Sequence, residues 1–193
     1  MKKFLMALGL TAVLSAPAVF ANEFVVEPES DTAVSFAAYD TLSGEWETTF
    51  VNYAKADGDD EYWIRVAMRK GIKEKVLHYA TLIVDGERYR LTAVPIDDKH
   101  FYAAQSITMN PTHGLSDPAL LFATWPRYFP VSRDIALKLI NAKEVKIIYN
   151  RVGRINTCVT VNNRMLEDIH KAYSLRYADF NNYWKPNDSK QQG

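Results

Sequence analysis

The chain has 193 residues, with 23 Lys+Arg against 23 Asp+Glu, 48% hydrophobic and 12% aromatic residues, and a single cysteine. Eight glycines and eight prolines among plentiful aromatics exclude collagen-like, low-complexity and disulfide-scaffold chains. A zero formal net charge gives no general attraction to phosphate, which argues against a polybasic nucleic-acid binder.

The clearest signal comes first. Lys2 and Lys3 precede an apolar run from Phe4 to Leu14, and Ser15 to Ala21 then ends in Val19-Phe20-Ala21. A positive end, a short apolar stretch and a small residue before the cut describe a secretory signal peptide over 1–21, cleaved after Ala21. The run is shorter than the ~20 residues needed to cross a bilayer. No cysteine follows it, so no lipid attachment is expected at that point. Removal of 1–21 leaves 172 residues with 21 basic and 23 acidic side chains, a length suited to one domain over 22–184. No other apolar stretch reaches spanning length, so the mature chain is expected to be secreted or periplasmic, with no transmembrane segment.

Cys158 cannot form an internal disulfide, and its neighbours Thr157, Val159 and Thr160 predict a strand in which the thiol is a small buried apolar group. Stability must then come from packing.

In chain order, the acidic segment 22–32 with Pro28 predicts a loosely held lead-in. A strand is expected at 33–38, and alternation at 46–53 favours another. Lys55 to Asp60 reads as a turn. From 61 to 93, two runs of β-forming residues meet at Asp85-Gly86, the pair that a two-residue type I′ hairpin demands. Closure there opposes Val84 to Glu87, Leu82 to Tyr89 and Ala80 to Leu91. The preceding run 61–69 alternates in the same way, and the simplest arrangement is a three-stranded meander turning at 70–75. Its inner face would carry Tyr62, Ile64, Val66, Met68, His78, Ala80, Leu82, Val84, Tyr89 and Leu91.

A strand is expected at 100–107, followed by a proline-punctuated stretch to Val131 that reads as an ordered loop with a short helix after Asp117. Ser132 reads as the N-cap of an amphipathic helix carrying Ile135, Ala136, Leu139 and Ile140. Strands at 145–150 and 155–161 follow. A last helix begins after Asn162 or Asn163 with Met165, Leu166, Ile169, Ala172 and Tyr173 on one face, and Glu167 and Lys171 pair on the other. The polar tail 185–193 is expected to be disordered. The order predicts a single α+β domain, mainly an antiparallel β sheet or sandwich with two short amphipathic helices in the C-terminal half.

Chemistry is sparse. His78, His100, His113 and His170 stand at no metal-ligand spacing from one another or from Cys158, so no metal and no cofactor is expected. His113, with Ser116 and Asp117 close behind, would serve an extracytoplasmic hydrolase, but side chains so near in sequence seldom reach triad geometry. The acidic run 57–61 lacks the order of a calcium loop. The one constellation with recognition chemistry is the outer face of the meander, where Trp63, Arg65, Arg69, Tyr79, Arg88 and Arg90 would gather. Arginine beside aromatic rings recognises carboxylates, phosphates and planar groups by forked hydrogen bonds and stacking. The sequence therefore predicts a non-catalytic binding module for an anionic ligand or a protein partner.

Overall fold

The computed structural model describes residues 23–40, 46–68, 76–94, 124–151 and 155–184. Among the described residues nine strands form two antiparallel sheets: β1 (Glu23–Ser30), β2 (Ala33–Asp40), β3 (Trp46–Lys55), β4 (Glu61–Met68) and β7 (Thr124–Val131), in that order, make the five-stranded sheet. The four-stranded sheet runs β6 (Glu87–Thr92), β5 (Val76–Val84), β8 (Val145–Arg151), β9 (Thr157–Thr160). Helices α1 (Arg133–Ile140) and α2 (Asn163–Ser174) follow β7 and β9, and a 3-10 turn (Tyr177–Asp179) leads into the one-turn α3 (Phe180–Tyr183). This is the expected α+β class, built as a sandwich.

The Asp85-Gly86 hairpin closes in the expected register, with Val84 opposite Glu87, Leu82 opposite Tyr89 and Ala80 opposite Leu91. Asp85 and Gly86 both hold positive φ, 47° and 87°, which a type I′ turn requires and most L residues resist. The Asp85 carboxylate accepts the backbone N–H groups of Lys143 and Glu144, each at 2.8 Å, and ties the turn to the start of β8.

The meander does not exist. β4 pairs with β3 and β7, whereas β5 pairs with β6 and β8, so the chain changes sheet between β4 and β5. The inward-facing set survives this correction because alternation along each strand is local. Tyr62, Ile64, Val66, Ala80, Leu82, Val84 and Leu91 are buried in one core shared by both sheets, with Tyr89 packed against it. Met68 and His78 have side chains outside the described residues.

Two further corrections concern edge strands. The acidic lead-in is β1, which pairs with β2 through seven register positions and bulges between Pro28 and Ser30. The last part of the proline-rich stretch is β7, where Pro126 and Pro130 are tolerated because β7 closes one edge of its sheet. The leader, the strand expected at 100–107, the short helix after Asp117 and the tail 185–193 lie outside the described residues.

Both long helices start where expected. Ser132 accepts from the Ile135 N–H at 3.4 Å, and Asn162 from the Met165 N–H at 2.9 Å. α2 buries Met165, Leu166, Ile169, Ala172 and Tyr173, the stripe its spacing predicts, across β1, β2 and β3. Lys171, expected to face Glu167 along the helix, stands over the rings of Phe24 and Tyr183. The Tyr149 hydroxyl meets Thr48 Oγ1 at 2.6 Å and joins the two sheets through the buried core.

Replacing Asp85 tests the hairpin. Asp85→Ala removes two hydrogen bonds and puts alanine at positive φ, for an expected loss of about 2 kcal/mol, whereas Asp85→Asn, which tolerates the conformation, loses less than about 1 kcal/mol. Urea denaturation of the two variants gives both values.

Candidate functional site

The structure divides five of the six predicted site residues between two sheets. Trp63 and Arg65 stand on β4 in the five-stranded sheet, and Tyr79, Arg88 and Arg90 on β5 and β6 in the four-stranded sheet. Arg69 lies outside the described residues. They are therefore not one face.

The second face of the five-stranded sheet is closed. Val25, Ala37, Tyr39, Val51 and Tyr128 form a buried apolar cluster with Tyr53 and Trp63 packed against it, and all of these come from the sheet itself. Ser35, Glu47, Thr49 and Arg65 are also buried there, Arg65 at 4% exposure. Register puts Arg65 between Thr49 and Tyr128, with Tyr39 beyond Thr49. Arg65, Glu47, Tyr39 and Tyr128 are all engaged in contacts of their own.

One end of that face is more open. A cleft of about 320 Å³ is lined by Ser30, Thr32, Ala33, Tyr53, Lys55, Ala56 and Asp57. Lys55 Nζ pairs with Glu61 at 2.6 Å, and the indole N–H of Trp63 donates to the other Glu61 oxygen at 3.2 Å. Burial, helped by the Glu29 and Glu61 carboxylates, raises the Tyr53 phenol above its ordinary value, while Lys55 opposes the rise. The hydrogen bond to Glu61 holds Lys55 more firmly protonated. Ion pairing inside the cleft leaves its lysine committed to Glu61.

The outer face of the four-stranded sheet is different in kind. Register sets out two rows across β6, β5, β8 and β9: Arg88, Ile83, Lys146, Thr160, and Arg90, Thr81, Ile148, Cys158. The Arg90 guanidinium lies over the Tyr79 ring, 4.5 Å from its centroid. Arg88 and Arg90 are exposed, and Tyr79, Thr81, Ile83, Lys146 and Ile148 half-buried. Strand spacing puts the two arginines about 7 Å apart along β6 and Lys146 about 10 Å across the sheet from Arg88. Ile83 lies between Arg88 and Lys146, and Ile148 stands beyond Thr81 in the Arg90 row. Lys146 also meets Glu144 at 2.8 Å, so among the described residues the two arginines carry most of the uncompensated positive charge on this face.

Cys158 belongs to this face and is exposed, contrary to the buried thiol expected of it. Its partner across the ladder is Ile148, on the outer side, while Val159 takes the inner position opposite Ile147. Lys146 and Ile148 were not singled out from the sequence. Their strand follows the hairpin by about sixty residues, and no spacing rule links the two.

Catalytic constellations are not found in what is described. Among the described residues no three His, Cys, Asp or Glu side chains are grouped to hold a metal. His113 is outside those residues, and His170 Nε2 lies 3.0 Å from the Ala142 carbonyl at the α1–α2 junction. A second cleft, about 430 Å³ between the hairpin turn and α1, includes Glu87 and Lys138 in its lining, and these are paired at 2.6 Å. No helix among the described residues is long and apolar enough to cross a membrane. Comparison with protein-family models, with curated proteins and with solved structures returns no match.

The division of the arginines has a measurable consequence. Arg65→Ala removes a buried, engaged side chain and is expected to cost about 2–3 kcal/mol, while Arg88→Ala and Arg90→Ala at exposed positions each stay within about 0.5 kcal/mol. Thermal or urea unfolding of the three variants separates the two classes.

Proposed function

We propose that this is an exported, non-catalytic binding module that holds an anionic component of the cell envelope on the outer face of its four-stranded sheet. The observation that carries the reading is the open row of Arg88 and Arg90, the latter seated on Tyr79, beside an apolar floor of Ile83 and Ile148. Guanidinium groups offer forked donors to phosphate or carboxylate, and a ring beneath one of them holds it in place. The two isoleucines give an adjoining apolar body somewhere to rest. An anionic amphiphile, with an acidic head and an apolar part, meets both requirements, and the leader pattern at 1–21 supports delivery to a compartment where envelope lipids are met. The second face of the five-stranded sheet is a poorer candidate, because its arginine is buried and already engaged.

Co-sedimentation with vesicles containing phosphatidylglycerol, against vesicles of phosphatidylcholine alone, tests the reading. The protein is expected to follow the anionic vesicles and to be released by salt. At about 1 kcal/mol for each basic residue near a charged surface, the pair Arg88→Ala and Arg90→Ala together weaken binding roughly thirtyfold. Unchanged retention by that double variant rejects the face, and equal partition to both vesicle types rejects the ligand class.

A further inference from the structure

We propose that residues 163–184 are a closing strap: the strands β1 to β4 settle only when this stretch docks across them. The strap reaches four strands at once. Across the core face it buries Met165, Ile169, Ala172 and Tyr173, and Tyr173 packs its ring at 6.2 Å from Phe50 and 5.1 Å from Tyr62. Its hydroxyl donates to the Trp63 carbonyl at 2.9 Å.

A polar key sets the position. Asn52, fully buried on β3, donates through Nδ2 to the carbonyls of Ala172 and Leu175, at 2.9 and 2.8 Å. Carbonyls at a helix end have no partner within the helix, and a buried amide donor is costly to leave without one. The two needs are met together in one docked position. At the margin, Arg176 Nη1 meets Asp60 Oδ2 at 3.1 Å and the Tyr62 hydroxyl at 3.0 Å, and the Tyr177 hydroxyl donates to the Asp31 carbonyl at 2.6 Å. The Lys171 ammonium sits 3.9 Å from the Phe24 ring centroid and 4.6 Å from that of Tyr183, and so clasps β1 to α3.

All of these contacts except that of Lys171 with Tyr183 join early chain to late chain. Asn52 and Ala172 are 120 residues apart, and Asp31 and Tyr177 are 146 apart. Contacts of such separation form late, because loop closure opposes them until many form together. Before docking, the strands that α2 covers would present Val34, Phe36 and Phe50 to water, which does not favour a settled sheet. For a chain threaded through a membrane from its N-terminus this order keeps 23–68 unsettled until 163–184 have followed, a consequence that rests on the export reading.

Hydrogen exchange on the full mature chain tests the strap. In pulse labelling during refolding, the amides of β1, β2 and β3 are expected to gain protection in the same phase as those of α2. In the native protein the pair Lys171→Ala and Tyr177→Phe, which leaves the core residues in place, is expected to speed exchange in β1 to β3 and in α2 by one common factor, about tenfold. Protection of β1 to β3 in a phase before α2, or faster exchange confined to α2, overturns the proposal. Export is read separately, by N-terminal sequencing of protein recovered outside the cytoplasm. Retention of the protein in the cytoplasm with its leader uncut overturns the export reading and leaves the exchange prediction standing.

Discussion

The structure depends on one constraint: the core face of the five-stranded sheet is wider than any single neighbour can cover. The four-stranded sheet meets it beside β7, and α2 lies across β1 to β3. Where the two covers meet, buried polar contacts fix their positions, Thr48 with Tyr149 for the sheet and Asn52 with the end of α2 for the helix. Apolar burial supplies most of the driving force and is indifferent to small shifts, so the polar contacts give each cover its place. The arrangement also explains why the four-stranded sheet presents a half-open outer face. Its inner side is committed to the core, and no described helix is assigned to the other.

Much of the fold was legible because it is local. Asp85-Gly86 carries its own turn chemistry, Ser132 and Asn162 cap the helices that follow them, and the stripe from Met165 to Tyr173 announces its buried face. What failed was partnership. Strand 61–68 has the alternation of a half-buried strand, but alternation does not name the neighbour, and adjacency along the chain suggested β5 where the fold supplies β3 and β7. β1 and β7 were missed for a related reason. Their charges and prolines resemble those of loops, and edge strands accept both.

The candidate site was legible in part. Arg88, Arg90 and Tyr79 share a face because they belong to one hairpin, whose register the turn dictates. Lys146 and Ile148 join them only through the pairing of β5 with β8, which no local pattern foretells. Arg65 and Trp63 looked equivalent to the hairpin arginines, being polar or amphipathic residues at outward positions of an alternating strand. The second face of the five-stranded sheet buries Arg65 and half-buries Trp63, so an outward position at Arg65 is an interior one. Cys158 erred in the opposite direction. A strand rich in Thr and Val suggested burial, and the side of the sheet decides otherwise.

The most direct test of the proposed binding face is a chemical-shift map of residues 22–193 titrated with a soluble short-chain phosphatidylglycerol. Shifts that saturate and cluster on Tyr79, Thr81, Ile83, Arg88, Arg90, Lys146 and Ile148, with Tyr53 and Trp63 unmoved, are the predicted result. Shifts concentrated on the second face of the five-stranded sheet, or none that saturate, would contradict it.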